Sequence, residues 1–164
     1  MQLIKDINLL TKKEFLSIFG NIFEKSDWIA ISTFELKPFK DIKDFKDKMM
    51  NIYEKSSKEK IIIIFNLHPK LAVEKKLTSF SSKEQFEAKL NTCTKEEMIE
   101  FRNLNEHYHE KFGFPFIMAV KGKSKNEILD SFRQRVKNNF EVEFNEAKLQ
   151  VKKIASLRLN EILN

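Results

Sequence analysis

Residues 57–69 read SKEKIIIIFNLHP. Four isoleucines and a phenylalanine in a row fit either a buried strand or a stretch of buried helix. The choice decides whether the fold is mixed or wholly helical. A strand needs a partner, and no second run with a strand pattern stands nearby, so the stretch is read as a fully buried helix. Outward from it, helical spacing dominates. Thr11 opens TKKE, a capping box with Glu14, ahead of a stripe of Phe15, Ile18, Phe19 and Ile22. Pro38 suits a first helical turn, and Phe39, Ile42, Phe45, Met49 and Ile52 follow at helical spacing. Downstream, Ser81 with Glu84, Thr94 with Glu97, and Ser124 with Glu127 frame three further possible boxes. Met98, Phe101, Leu104, Asn105, Tyr108 and Phe112 mark one face of a helix stopped by Gly113. Ile128, Leu129, Phe132 and Val136 mark another helix, and the last runs from about Val142 to Ile162. With no repeat, low-complexity tract or linker, residues 1–164 are expected to form one all-α, multi-helix bundle domain.

Composition narrows the function classes. At 41% hydrophobic and 33% charged, with sixteen phenylalanines, the chain has ample core material for a globular protein. No apolar run is longer than the five residues of Ile61 to Phe65, far too short to span a bilayer, so no membrane association is expected. The stretch MQLIKDINLLTKKEF carries charges where a secretory leader is apolar, and the ending NEILN is not a peroxisomal signal. A single cysteine, Cys93, suits a reducing compartment, and a cytoplasmic setting is expected. The net charge of +6 invites a nucleic-acid reading. Yet lysines alternate with acids, as in KDIKDFKDK, and only four arginines occur, so no nucleic-acid partner is expected.

Four features carry possible chemistry. His68 follows the apolar run and precedes Pro69, which biases it away from helical dihedrals. Its ring either caps the helix or is aimed from the core toward a cleft. In SSKEQ (81–85), Ser81, Glu84 and Gln85 group a hydroxyl, a carboxylate and an amide at a helix start. That grouping is either an ordinary cap, with Glu84 folded back, or a site for an anion. Arg158 shares a stripe with Val151, Ile154, Ala155 and Ile162, so its guanidinium needs an anionic partner, either a core acid or a ligand. FGFPFIMAV (112–120) is irregular backbone whose groups must bond to something, the core or a bound molecule. His107 and His109 are two apart and point apart on a helix, Cys93 lacks ligand spacing, and no glycine-rich phosphate loop occurs. No metal and no cofactor is expected.

Taken together, HPKLA (68–72), SSKEQ, LNEHYHEKFGFPFIMAVKGKSKNEIL (104–129), IASLRLNEIL (154–163) and GNIFEKSDW (20–28) resemble one family, in order and along essentially the whole chain. It is that of 2-oxo-4-hydroxy-4-carboxy-5-ureidoimidazoline (OHCU) decarboxylase. The resemblance implies a cofactor-free, all-helical, homodimeric enzyme that converts OHCU, a small ureide, to (S)-allantoin and carbon dioxide in urate degradation. It implies His68 as the catalytic acid–base group, with Glu84 orienting it. Substrate would be held by Pro69, Ser81, Gln85 and Arg158, and by the main chain of Phe116, Ile117, Met118, Ala119 and Val120.

Two departures stand against the pattern. KLAVEKKLTSF (70–80) is several residues shorter than the corresponding connection in typical members, and Lys70 stands where an acid is common. They leave open an alternative: a catalytically impaired member that keeps the pocket as a helical ureide-binding protein.

Overall fold

The computed structural model describes residues 2–73 and 77–164. Helices are α1 (Gln2–Leu9), α2 (Lys12–Phe19), α3 (Asp27–Phe34), α4 (Ile42–Glu54), α5 (Lys58–Leu67), α6 (Ser79–Glu87), α7 (Lys95–Phe112), α8 (Lys125–Arg135) and α9 (Phe140–Leu163), with a 3₁₀ turn at Leu90–Thr92. Among the described residues there is no strand, so the fold is all-α. No helix among them is long and apolar enough to cross a membrane.

The isoleucine run is helical, as expected, but it is not buried on every side. Ile61, Ile64 and Phe65 have no exposed surface, whereas Ile63 is 59% exposed. Three- and four-residue spacing puts the first three on one face and turns Ile63 outward.

Chain contacts divide the protein into two compact units. The first combines residues 1–67 with 154–164. Its core gathers rings from α2, α3, α4 and the intervening loop: Phe15 meets Phe19, Phe34, Phe39 and Phe45 at centroid distances of 4.9–6.3 Å. Asn8 exchanges two 2.8 Å hydrogen bonds with the Phe39 main chain, tying α1 to that loop. Two details correct the sequence reading. Ile18 is exposed while its stripe neighbours are buried. Pro38 precedes the helix rather than opening it, because Asp41 is the cap, its carboxylate accepting from the Asp44 N–H at 2.7 Å.

The second unit spans 68–153. Phe101, Tyr108 and Phe112 of α7 pack with Phe114, Phe116 and Phe132, and Phe116 stacks on Phe132 at 3.9 Å. Gly113 ends α7 in the left-handed region (φ 74°), its N–H reaching the His109 carbonyl at 2.8 Å. Gly122 (φ 75°) closes a turn in which the Lys123 N–H meets the Val120 carbonyl at 2.9 Å. The non-helical part of FGFPFIMAV, residues 114–120, lies between these two glycines.

Three capping boxes form where the residues predict them, at Thr11–Glu14, Thr94–Glu97 and Ser124–Glu127. Their carboxylates sit below the ordinary value of 4.5: Glu14 through the Thr11 hydroxyl and amide, Glu97 through the Lys125 ammonium and Thr94 amide, Glu127 through the Ser124 amide and hydroxyl. A lowered folded-state pKa means stability that is present above the unfolded value and lost as pH falls through the folded one. Acidification below 4.5 is therefore expected to fray these helix starts. Amide exchange at the first turn of α7 checks this: Glu97→Gln should flatten its dependence on acid, and an unchanged profile would contradict the box.

Candidate functional site

The second unit brings together two of the sequence motifs. Helix α5 ends at Leu67, and the chain bends at His68, which is buried, before the half-buried Pro69. Pro69 denies His68 a helical continuation. The following residues, Lys70 to Ala72, are braced from α6. The Gln85 Oε1 accepts from the Ala72 N–H at 3.1 Å, and its Nε2 donates to the Lys70 carbonyl at 3.4 Å. From α7, the Asn105 Nδ2 donates to the Leu71 carbonyl at 3.0 Å. Ala72 adopts φ 51°, a left-handed conformation that costs a non-glycine residue roughly 1–2 kcal/mol. The Gln85 bond to its N–H holds it there. Residues 74–76, within the short connection that departs from the family pattern, lie outside the described residues.

The SSKEQ motif lies at the start of α6 but does not cap it. Thr78 is the N-cap of α6, its hydroxyl accepting from the Ser81 N–H at 3.3 Å. That places the buried Ser81 in the first turn, with the half-buried Glu84 and the buried Gln85 one turn on. The expected cap at Ser81 is thus displaced three residues toward the N-terminus, and Glu84 is not spent on a capping box.

The main chain of 116–120 is held by side chains from α8 and α9. The Arg135 Nη1 donates to the Ile117 carbonyl at 2.8 Å, and the Ala119 N–H donates to the Gln150 Oε1 at 2.9 Å. Phe116, Ile117 and Val120 are buried, while Met118 and Ala119 are half-buried. Behind the segment lies a charged cluster that sequence reasoning missed. Glu143 has no exposed surface and accepts from the Arg135 Nε at 2.8 Å, from the Asn138 Nδ2 at 3.0 Å and from the Tyr108 hydroxyl. Burial, and then the hydrogen bond to Glu143, push the Tyr108 phenol well above its ordinary value, so it stays a donor. A signal for the acid existed. Glu143 continues the buried α9 stripe of Ala147, Val151, Ala155 and Arg158 at helical spacing.

Arg158 belongs to the first unit, and its guanidinium has a core acid as partner. The Nη2 donates to the Glu24 Oε2 at 3.1 Å, and the Nη1 approaches the Asn21 and Ile22 carbonyls at 3.4 Å each. Both charged residues are almost entirely buried, at 2% and 1% exposure. The sequence reading left the partner open between an acid and a ligand; the acid is Glu24.

A cleft of about 410 Å³ in the second unit is lined by Ala72, Gln85, Leu90, Cys93 and Met98, among others. Burial, then the Glu97 charge, push the Cys93 thiol up, which keeps it protonated and a poor nucleophile. Among the described residues, no group of three or more His, Cys, Asp or Glu side chains is placed to hold a metal ion.

Comparison with known proteins gives one answer. The family model described as OHCU decarboxylase matches residues 8–160. The uric acid degradation bifunctional protein of Bacillus sp. (strain TB-90) is 39% identical over 162 residues, covering 99% of this chain and 32% of the relative; the chain thus spans about a third of that longer protein. The 2-oxo-4-hydroxy-4-carboxy-5-ureidoimidazoline decarboxylase of Haloferax volcanii is 34% identical over 158 residues, covering 96% of this chain and 94% of the relative. A crystal structure of OHCU decarboxylase in the presence of (S)-allantoin shares the fold, with a TM-score of 0.74 at 21% identity, covering 88% of this chain and 96% of that one. The match of the family model over nearly the whole chain, together with a relative of similar length, places this protein in the OHCU decarboxylase family.

Proposed function

We propose that the chain catalyses the decarboxylation of OHCU to (S)-allantoin. The observation that carries this reading is the family match over residues 8–160, which takes in every candidate residue. The chemistry asks for little beyond side chains. The carboxylate of OHCU sits on a carbon beside a ring C=N, so the electrons released with carbon dioxide flow onto nitrogen. The enzyme must hold that carboxylate out of the ring plane and deliver a proton to one face of the resulting intermediate.

His68 is assigned the proton transfer, a task suited to an imidazole near neutral pH. Glu84 is assigned to orient it. Ser81, Gln85 and Arg158 supply donors to substrate oxygens, Pro69 lines the site, and the main chain of 116–120 meets the ureide edge. For Arg158, the pairing with Glu24 fixes the guanidinium, a planar fork of donors suited to substrate oxygens. Gln85 likewise uses one amide hydrogen on Lys70 and keeps a second. The same reading makes the protein a cytoplasmic homodimer, and light scattering on the purified chain should return twice the monomer mass.

The deciding experiment supplies freshly generated OHCU and follows the optical activity of the product. The spontaneous reaction yields racemate, so an excess of (S)-allantoin demands an enzyme. A racemic product at the uncatalysed rate, with ureide still bound, would mark an impaired, ureide-binding member instead. Glu84→Gln tests the pairing with His68. A neutral amide no longer favours imidazolium, so the histidine limb of the pH–rate profile should move to lower pH. An unmoved profile would count against the assignment.

A further inference from the structure

We infer that Arg135 and Gln150 are positioning residues that hold the 116–120 main chain in the register needed to meet the ureide, with Glu143 and Tyr108 locking Arg135 in place. The inference rests on the proposed reading of that segment as part of the ureide site.

The two tethers grip residues two apart. Arg135 takes the Ile117 carbonyl, and Gln150 takes the Ala119 N–H. The tethers therefore pin the main chain on both sides of Met118. Each tether is itself fixed. The Gln150 Nε2 donates to the Glu146 Oε1 at 2.7 Å, which sets the amide so that its oxygen faces Ala119. The Arg135 fork is gripped through the Nε and Nη2 by Glu143, and its Cζ lies 4.4 Å from the centroid of the Phe116 ring, which stacks in turn on Phe132.

Stability alone does not call for such a cluster. Replacing a buried ion pair with apolar residues of similar volume is often neutral or stabilising. What an apolar replacement cannot do is donate to the Ile117 carbonyl. Residues 114–120 have no helical or strand ladder to fix their register, so side-chain donors and acceptors must fix it.

The test separates register from stability. Arg135→Met alone would strand a buried carboxylate and unfold the protein, so the variant of choice is the triple Tyr108→Phe/Arg135→Met/Glu143→Leu, which removes both charges and the buried phenol together. We expect it to unfold cooperatively near the parent temperature. We also expect faster amide exchange confined to residues 117–120 and a fall in kcat/KM on the order of 10²-fold, as a displacement of about 1 Å at a binding group produces. Gln150→Ala cuts the second tether without touching the Arg135–Glu143 pair and should show the same local exchange, with KM rising more than kcat falls. If either variant folds and keeps parental exchange at 117–120, or loses that protection while KM and kcat stay unchanged, the inference is overturned. A parent chain that gives no excess of (S)-allantoin would instead sink the functional reading, and the exchange data would still judge the tethers independently.

Discussion

Purified His68→Ala is expected to fold as the parent does and to lose stereospecific allantoin formation by about 10²- to 10⁴-fold, the range that a positioned acid–base group supplies. The fold should survive because His68 stands at the end of α5 rather than within its packed face, which is made by Ile61, Ile64 and Phe65. The turn after it keeps its own supports, from Gln85 to Ala72 and Lys70 and from Asn105 to Leu71. Thermal unfolding and product chirality, measured on the same preparation, separate the two effects. Full activity in a folded His68→Ala protein would remove the histidine from the mechanism. Lost activity with a lowered unfolding temperature would point to the helix end rather than to proton transfer.

Glu24→Ala should produce a large loss of stability. It takes from the almost wholly buried Arg158 guanidinium the carboxylate to which its Nη2 donates at 3.1 Å. Breaking a buried pair by removing one partner costs about 3–5 kcal/mol. For a chain of this size, that corresponds to a fall of roughly 6–20 °C in Tm. Urea or thermal unfolding gives the number, and a shift near zero would show that the guanidinium finds other compensation.

The double variant Glu24→Leu/Arg158→Met adds a second reading. Removing both charges should recover most of the stability, because no ion is then stranded. If Arg158 also binds substrate, as proposed, activity stays low in the recovered protein. If activity returns with stability, the arginine serves only the core.

The parts of this protein that were legible residue by residue are those governed by short-range rules. Capping boxes need a hydroxyl and a glutamate three apart, and three of the four predicted ones form where expected. The fourth failed for an equally local reason: Thr78 offers its hydroxyl three residues earlier and takes the Ser81 N–H. Gly113 ends α7 because the left-handed cap there suits a residue without a Cβ. Helix α3 escaped notice because its buried residues, Ile29, Ala30 and Thr33, do not stand out as a stripe in so apolar a segment. The candidate site was named from motifs. Their bracing was not, since a motif does not say what holds it.

By itself, the sequence determined most of the helices, three capping boxes, the glycine stop of α7, the break at FGFPFIMAV and the family to which these belong, because each follows from neighbours within a turn or from ordered motifs. Only the tertiary structure decided the partners of the buried polar groups. Arg158 meets Glu24 across 134 residues, Tyr108 meets Glu143 across 35, and Gln85 reaches back 13 to Ala72. A buried charge or amide requires a partner of the right kind, and that requirement is visible in the chain. Which partner satisfies it depends on what folding places within about 3 Å, the reach of a hydrogen bond, and no spacing along the chain encodes that.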